Sequence, residues 1–182
     1  MQAGLKTFLH DLTAELLEMA GEKVYWTNQN MPRQKKPFAT LHLYSQQGEV
    51  QEDLRKTGKA GIVDVMVPTT AKLEIQLFGM NGDDTAGKLE TLVRKLEMPS
   101  VVDRCFAARV AFYDSGPVQD ITALLDNQIF EPRAAIDLSI RYNSMITDDV
   151  GYIEEVDIKE VDIAGIIGEG KEHMIKIKIG EE

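Results

Sequence analysis

The sequence has very little cysteine and histidine. Cys105 is the only cysteine, which excludes an internal disulfide and a cysteine-based zinc site. The histidines lie far apart, at positions 10, 42 and 173, and none has a second histidine or a carboxylate at metal-ligand spacing. Cys105 lies beside Phe106 where an apolar strand pattern begins, so we expect a buried free thiol and not a nucleophile. We therefore expect no metal centre.

Long apolar runs and an excess of positive charge are also missing. No run reaches the roughly 18 apolar residues of a membrane-spanning helix, and Asp11, Glu15 and Glu18 interrupt any signal-peptide core. We therefore expect the protein to stay in the cytoplasm where it is made. The net charge is −10, which argues against gripping a nucleic-acid backbone, since that affinity comes from cationic contacts. A role in which the protein surrounds DNA without binding it tightly stays open.

Apolar periodicity divides the chain into helices and strands. Residues 3–20 and 85–97 repeat apolar side chains at helical spacing, and the second helix follows a capping turn at 81–84 and ends at Pro99. A shorter helical spacing covers 117–127. Strand patterns cover 24–28, 38–45, 62–67, 70–79, 106–113 and 133–142, with a break at Pro68.

This order of elements predicts an α+β fold. We expect a mixed, mainly antiparallel sheet covered on one face by two helices, with a C-terminal β-hairpin extension. Residues 1–158 would form the main domain and 159–182 the extension, and the charged connection at 46–61 would be a loop. The second sheet face must meet water or a partner. It carries the polar side chains of Thr40, His42, Lys72, Glu74, Gln76, Asp137, Ser139 and Arg141.

The stretch GIIGEGKE, residues 165–172, has the glycine and lysine spacing of a phosphate-binding loop. That loop needs a hydroxyl after the lysine to ligate magnesium, but Glu172 stands there. It also needs a helix next, whereas the isoleucines that follow alternate with lysines as in a strand. We therefore predict a hairpin with strands at 161–167 and 173–179, and no nucleotide binding.

The carboxylate pairs do not indicate catalysis. Asp83 and Asp84 suit a helix-capping turn, and Asp148 and Asp149 fit a loop before Gly151. The acidic residues at 154, 155 and 157 cannot all share one cation, because adjacent strand residues point to opposite faces. No Ser, His and Asp set and no Cys and His pair stands out. An enzymatic function stays open, but the sequence indicates no catalytic residue for it.

Large aromatic and arginine side chains lie among polar residues at two places. Trp26 lies in YWTNQN, and Phe130 lies in NQIFEPRAA, just before the strand whose polar face carries Arg133 and Arg141. Tryptophan, phenylalanine and arginine on polar surfaces are enriched at protein interfaces. These four residues are therefore the candidate subunit interface. The alternative is that Trp26 and Phe130 cap the core.

The order of motifs resembles the neck or tail terminator proteins of tailed bacteriophages and prophages. The resemblance covers roughly residues 5–158 and is carried most specifically by PFATL at 37–41, QLFG at 76–79 and FEPRAAIDLSIRY at 130–142. It implies a structural protein that closes the completed tail tube as a ring, usually a hexamer, without enzymatic activity or cofactor. Such a ring contacts the tail tube, the head connector and, in contractile tails, the last sheath layer.

A ring subunit of this kind suggests roles for two further segments. The 46–61 connection would reach the tube through Arg55, Lys56 and Lys59. The C-terminal hairpin would be an arm that adds strands to a partner and buries the row of Ile175, Ile177 and Ile179. DNA would pass through an acidic lumen without specific binding, because like charges repel.

Two other interpretations remain open at this point. One is a soluble α+β ligand-binding or regulatory domain, which would be a stable monomer or dimer with an apolar pocket. The other is a different phage part, such as a tube or connector protein. The hairpin could also fold back onto its own domain instead of reaching a partner.

Overall fold

A computed structural model describes residues 2–28, 32, 34–49, 53–125, 129–151, 156–158 and 175–177. The helices are α1 (Gln2–Leu16), α2 (Thr85–Leu96) and α3 (Pro99–Ala107), and a short 3₁₀ helix spans Gly21–Lys23. The strands are β1 (Val24–Trp26), β2 (Phe38–Gly48), β3 (Asp53–Lys56), β4 (Ile62–Phe78), β5 (Val110–Ser115), β6 (Gln119–Asp120), β7 (Ala123–Leu125), β8 (Ile129–Glu131), β9 (Arg133–Asp149), β10 (Val156–Ile158) and β11 (Ile175–Ile177).

Among the described residues the main sheet has seven strands, in the order β1-β2-β4-β9-β5, with β3 also paired to β4 and β6 to β9. β1 runs parallel to β2, whereas the pairs β2–β4, β5–β9 and β6–β9 are antiparallel. β7 pairs with β8 and β10 with β11 in separate two-stranded sheets. The predicted α+β fold with a mixed, mainly antiparallel sheet is confirmed.

The chain divides into two compact units, residues 1–54 with 65–146 and residues 55–64 with 147–182. In the second unit, the amide of Val150 donates to the carbonyl of Gly61 at 2.8 Å and Thr147 donates to Asp64 at 2.8 Å. Most residues from 152 onward lie outside the described part of the chain. The boundary predicted at residue 158 therefore stays a prediction.

The core of the first unit lies between one sheet face and the helices. Strand alternation brings Ala39 opposite Leu77 and Leu41 opposite Ile75, and all four side chains are buried. They share one apolar cluster with the helical residues Leu5, Leu9, Leu12, Leu16, Leu89, Leu92, Val101 and Cys105. The core face of the sheet was predicted, but three helices of the described part of the chain contribute to this core where two were expected.

The third helix corrects the sequence interpretation of residues 98–109. α2 ends before Pro99 as predicted, but Pro99 also begins α3, where its missing N–H costs nothing and its fixed φ suits a first helical turn. The strand predicted from residue 106 consequently begins at Val110. Cys105 lies in α3 and not in a strand, although its burial as a free thiol is confirmed.

The helical spacing predicted at 117–127 is also wrong. Within that range the structure has β6 and β7, separated by only two residues. β6 pairs with β9, and Leu124 of β7 lies opposite Phe130 of β8. Four apolar positions are too few to decide the period of a short segment, so long-range pairing determined the outcome.

Several strands are longer than predicted. β4 is continuous through Pro68, because the Pro68 carbonyl still accepts from the Glu49 amide at 2.8 Å and only the missing proline N–H is lost. The expected 46–61 loop is partly strand, since β2 extends to Gly48 and β3 covers Asp53–Lys56. Asp148 and Asp149 end β9 and do not lie in a loop.

The ends of the two predicted helices differ in accuracy. α1 ends at Leu16 and not at residue 20, because Glu18 takes a positive φ of 55°. α2 closely follows the prediction, and the Asp84 carboxylate accepts from the Gly87 amide at 2.8 Å as the capping turn required.

In the C-terminal segment, β11 lies within the predicted strand 173–179 and pairs antiparallel with β10. Val156 lies opposite Ile177, and Ile158 lies opposite Ile175. The predicted partner strand 161–167, the GIIGEGKE stretch and Ile179 lie outside the described residues. The absence of nucleotide binding therefore stays a prediction from the sequence.

Candidate assembly surface

An aromatic groove of about 310 Å³ opens beside β1 and β2. Its lining includes Tyr25, Trp26, Phe38, Phe78 and Arg133. The parallel register that places Trp26 beside Leu41 fixes the tryptophan at this edge of the sheet. The structure therefore brings together two of the four predicted interface residues, Trp26 and Arg133.

Stacked aromatic rings form the wall of the groove, and a positively charged side chain lies against them. Phe38 and Phe78 are directly opposite in the β2–β4 register, and their rings stack at 4.4 Å between centroids. Tyr25 meets Phe38 edge to face at 6.3 Å, and the Arg133 guanidinium lies 5.2 Å from the Phe78 centroid. Cation–π contact holds the guanidinium against the wall.

Trp26 is half-buried and packs against the core, and the Lys6 ammonium lies 5.3 Å from its ring centroid. Part of the tryptophan therefore does cap the core, as the alternative interpretation held. The remainder faces the groove. Its role in an interface stays a prediction.

The fully buried carboxylate of Glu131 anchors the β7–β8 hairpin. Its side chain is 0% exposed, and its oxygens lie 2.5 Å from the Lys36 ammonium and 2.6 Å from Arg133 Nε. Arg133 Nη2 donates to the same carboxylate oxygen, so the guanidinium binds through two nitrogens. A buried charge is tolerated only when paired and hydrogen-bonded, which this cluster achieves. Sequence reasoning missed Glu131, although its i, i+2 spacing to Arg133 was a signal.

The β7–β8 hairpin presents apolar side chains to solvent. Cross-strand neighbours share a face, so Leu124 and Phe130 lie together, and they are 49% and 62% exposed. Glu131, the next residue, points to the opposite, buried side. Phe130 therefore does not cap the core, and it lies on a hairpin that the sequence did not predict.

The remaining predicted residues lie apart from the groove lining. Arg141 is exposed on β9 and forms an ion pair with Glu49. Arg55 and Lys56 are exposed on β3, and Lys59 is exposed in the turn that follows. Their predicted contact with a tail tube stays a prediction.

The polar sheet face is held by its own hydrogen bonds. Tyr44 Oη donates to Asp137 Oδ1 at 2.9 Å, and Lys72 Nζ donates to Ser139 Oγ at 2.6 Å. His42 Nδ1 lies 3.7 Å from a Glu74 carboxylate oxygen. The hydrogen bond to Asp137, with burial and the negative charge of Asp137 adding to it, raises the pKa of Tyr44 above its usual value.

Tyr44→Phe is expected to lower the free energy of unfolding by about 1 kcal/mol near neutral pH, through loss of one hydrogen bond. A pKa raised by folding contributes stability below the unfolded pKa of 10.0, and that stability is lost as pH rises through the folded pKa. The difference between the wild-type and variant proteins should therefore shrink above pH 10. Urea denaturation across this range measures it. A difference that grows with pH would contradict the assignment.

A second cavity, of about 590 Å³, lies at the other end of β9. Leu5, Phe8, Met66, Tyr142 and Met145 give it an apolar lining, and Arg109 is the charged residue among the described residues that line it. The two cavities and the exposed hairpin all belong to the first unit.

A metal-ligand cluster and a membrane-spanning helix are both missing from the described part of the chain. The described residues contain no group of three or more His, Cys, Asp or Glu side chains placed to hold a metal ion. Among the same residues, no helix combines the length and apolarity needed to cross a bilayer. Burial raises the pKa of the Cys105 thiol, which disfavours the nucleophilic thiolate.

Comparison with known families provides an independent assignment. A family model described as phage neck terminator protein matches residues 1–168 of the 182-residue chain. No curated protein matches the chain. The match includes the aromatic groove, the apolar hairpin and the second cavity, and it extends beyond the 5–158 range of the motif resemblance. The chain therefore belongs to the phage neck terminator protein family, a family of structural proteins of the phage neck and tail.

Proposed function

We propose that this protein closes the end of the phage tail tube as a hexameric ring, ends tail assembly and joins the tail to the head connector. The observation that carries the proposal is the family match over residues 1–168. Exposed apolar hairpin residues and an aromatic groove on one subunit support it, because such surfaces on a soluble chain usually mark a protein contact.

The partners of the ring follow from its place in the particle. They are neighbouring subunits, the tail tube protein, the head connector protein and, in a contractile tail, the sheath protein. DNA passes through the ring without specific binding. The net charge of −10 supports this, because a negative surface repels the phosphate backbone and prevents sticking. We expect no enzymatic activity and no cofactor, since the work of such a protein is binding.

Two segments are proposed for contacts outside the ring. Arg55, Lys56 and Lys59 would meet acidic or carbonyl groups of the tube, since they are exposed cations on and just after β3. The C-terminal segment with Ile175, Ile177 and Ile179 would add strands to a partner. A two-stranded sheet such as β10–β11 is only marginally stable in water by itself, which favours further support from a neighbour.

Removing the protein from the phage tests the tail-closing role. Particles produced without it should have tubes of uncontrolled length and no attached heads, because nothing stops polymerisation or presents the connector surface. Supplying the full-length chain from a plasmid should restore normal length and attachment. Electron microscopy of lysates measures both. Tails of normal length joined to heads in the absence of the protein would refute the proposal.

A further inference from the structure

The described strands of the β7–β8 hairpin have the properties of a binding element. Leu124 and Phe130 form one face of the hairpin, and Ile129, on the other face, is 59% exposed. The contacts of Glu131 with Lys36 and Arg133 fix its base. The exposed apolar side chains of its two strands are therefore available for a contact with another surface.

The apolar cavity lined by Leu5, Phe8 and Met145 has the properties of a receptor for such an element. Its volume of about 590 Å³ falls within the roughly 300–1,000 Å³ of clefts that bury compact apolar ligands. Arg109 is an exposed, positively charged residue of the cavity lining. An acidic rim on the occupant would satisfy it, and Asp120 is exposed beside the hairpin.

The hairpin cannot enter the cavity of its own chain. It leads directly into Arg133, the first residue of β9, whereas the cavity is lined by residues 142–145 of the same strand. At about 3.3 Å per residue, nine or more residues of extended strand separate the two sites by roughly 30 Å. Two complementary surfaces at opposite ends of one sheet suit a head-to-tail contact between copies, which closes into a ring when repeated with a fixed rotation.

We propose that the occupant of this cavity is the β7–β8 hairpin of a second copy of this chain, with Phe130 inserted against Phe8 and Met145. This inference rests on the proposed ring and identifies its subunit contact. Phe130 is the anchor because it is the largest exposed apolar side chain of the hairpin, and buried aromatic anchors carry most of the affinity at interfaces.

Photo-cross-linking in assembled phage particles tests the contact. Benzoyl-phenylalanine at position 130 of the full-length chain should yield a dimer of this chain on illumination. Peptide mapping should place the second attachment within residues 4–8, 108–110 or 142–145. The matched control carries the same group at Met98, an exposed apolar side chain at the start of α3, and should give none of these links.

Every outcome of the mapping is informative. Attachment from position 130 to the tube or connector protein would overturn the subunit contact while leaving a ring at the neck intact. Attachment to other segments of this chain, or no attachment at all, would have the same meaning. A ring absent from particles that contain the unlabelled chain would instead refute the proposed function. Phe130→Asp should abolish the dimer link formed by the same photoreactive group placed at Phe8, whereas Met98→Asp should leave that link unchanged.

Discussion

Glu131→Ala is expected to lower the free energy of unfolding by about 3 kcal/mol. Breaking a buried ion pair from one side typically costs about 3–5 kcal/mol, because the partner charges lose their compensation. The lower end applies because the side chains of Lys36 and Arg133 are 26% and 25% exposed, so water can partly solvate them. Urea denaturation of the isolated chain measures the loss.

The control for this change is Glu49→Ala, which removes the same side chain from an exposed ion pair with Arg141. Exposed pairs contribute about 0–1 kcal/mol, because water screens them. Equal losses for the two variants would show that Glu131 does not anchor the hairpin. The Glu131 cluster would then contribute no more to the free energy of unfolding than the exposed pair of Glu49 and Arg141.

Deleting residues 165–182 is expected to abolish tail completion while leaving the melting temperature of the free subunit nearly unchanged. The segment includes β11, whose described pairing is with the three-residue β10. Such a short two-stranded sheet adds little stability by itself. A fall in melting temperature of more than about 4 °C would show that the segment belongs to the core. For a chain of this size, such a fall corresponds to a loss of more than roughly 1 kcal/mol in the free energy of unfolding.

Point variants separate the two rows of this C-terminal strand. Changing Ile175, Ile177 and Ile179 together to serine should reproduce the assembly defect, because the apolar row is the surface that a partner would bury. Changing Lys176 and Lys178 to serine should leave tail assembly intact. Complementation of a particle-assembly defect measures both. An assembly defect confined to the lysine variant would contradict the proposed orientation.

The sequence was sufficient where periodic patterns are long. The buried alternation at Ala71, Leu73, Ile75 and Leu77 predicts its side of β4, because one face of a strand must be apolar over its whole length to join a core. Short segments failed, since 117–127 offers too few positions to distinguish a helix from two short strands. α3 was missed for another reason, because proline both ends helices and begins them.

The candidate surface was predictable only as separate residues. Trp26, Phe130 and Arg133 could be nominated from aromatic and arginine side chains among polar neighbours. Their arrangement depends on long-range register, which places Phe38 opposite Phe78 and so builds the wall on which Arg133 lies. The pairing of Glu131 with Lys36 joins residues far apart in the chain, and no local pattern indicates it.

The proposed function places a ring of this chain at the junction of tail and head. Cryo-electron microscopy of the neck tests this placement. The particles would contain this chain fused to a small domain, which appears as extra density. We expect a closed hexameric ring on the last tube layer, with the extra density of the fused domain repeated once per subunit. Particles whose neck contains no ring of this chain, or in which the density lies elsewhere in the virion, would contradict this placement.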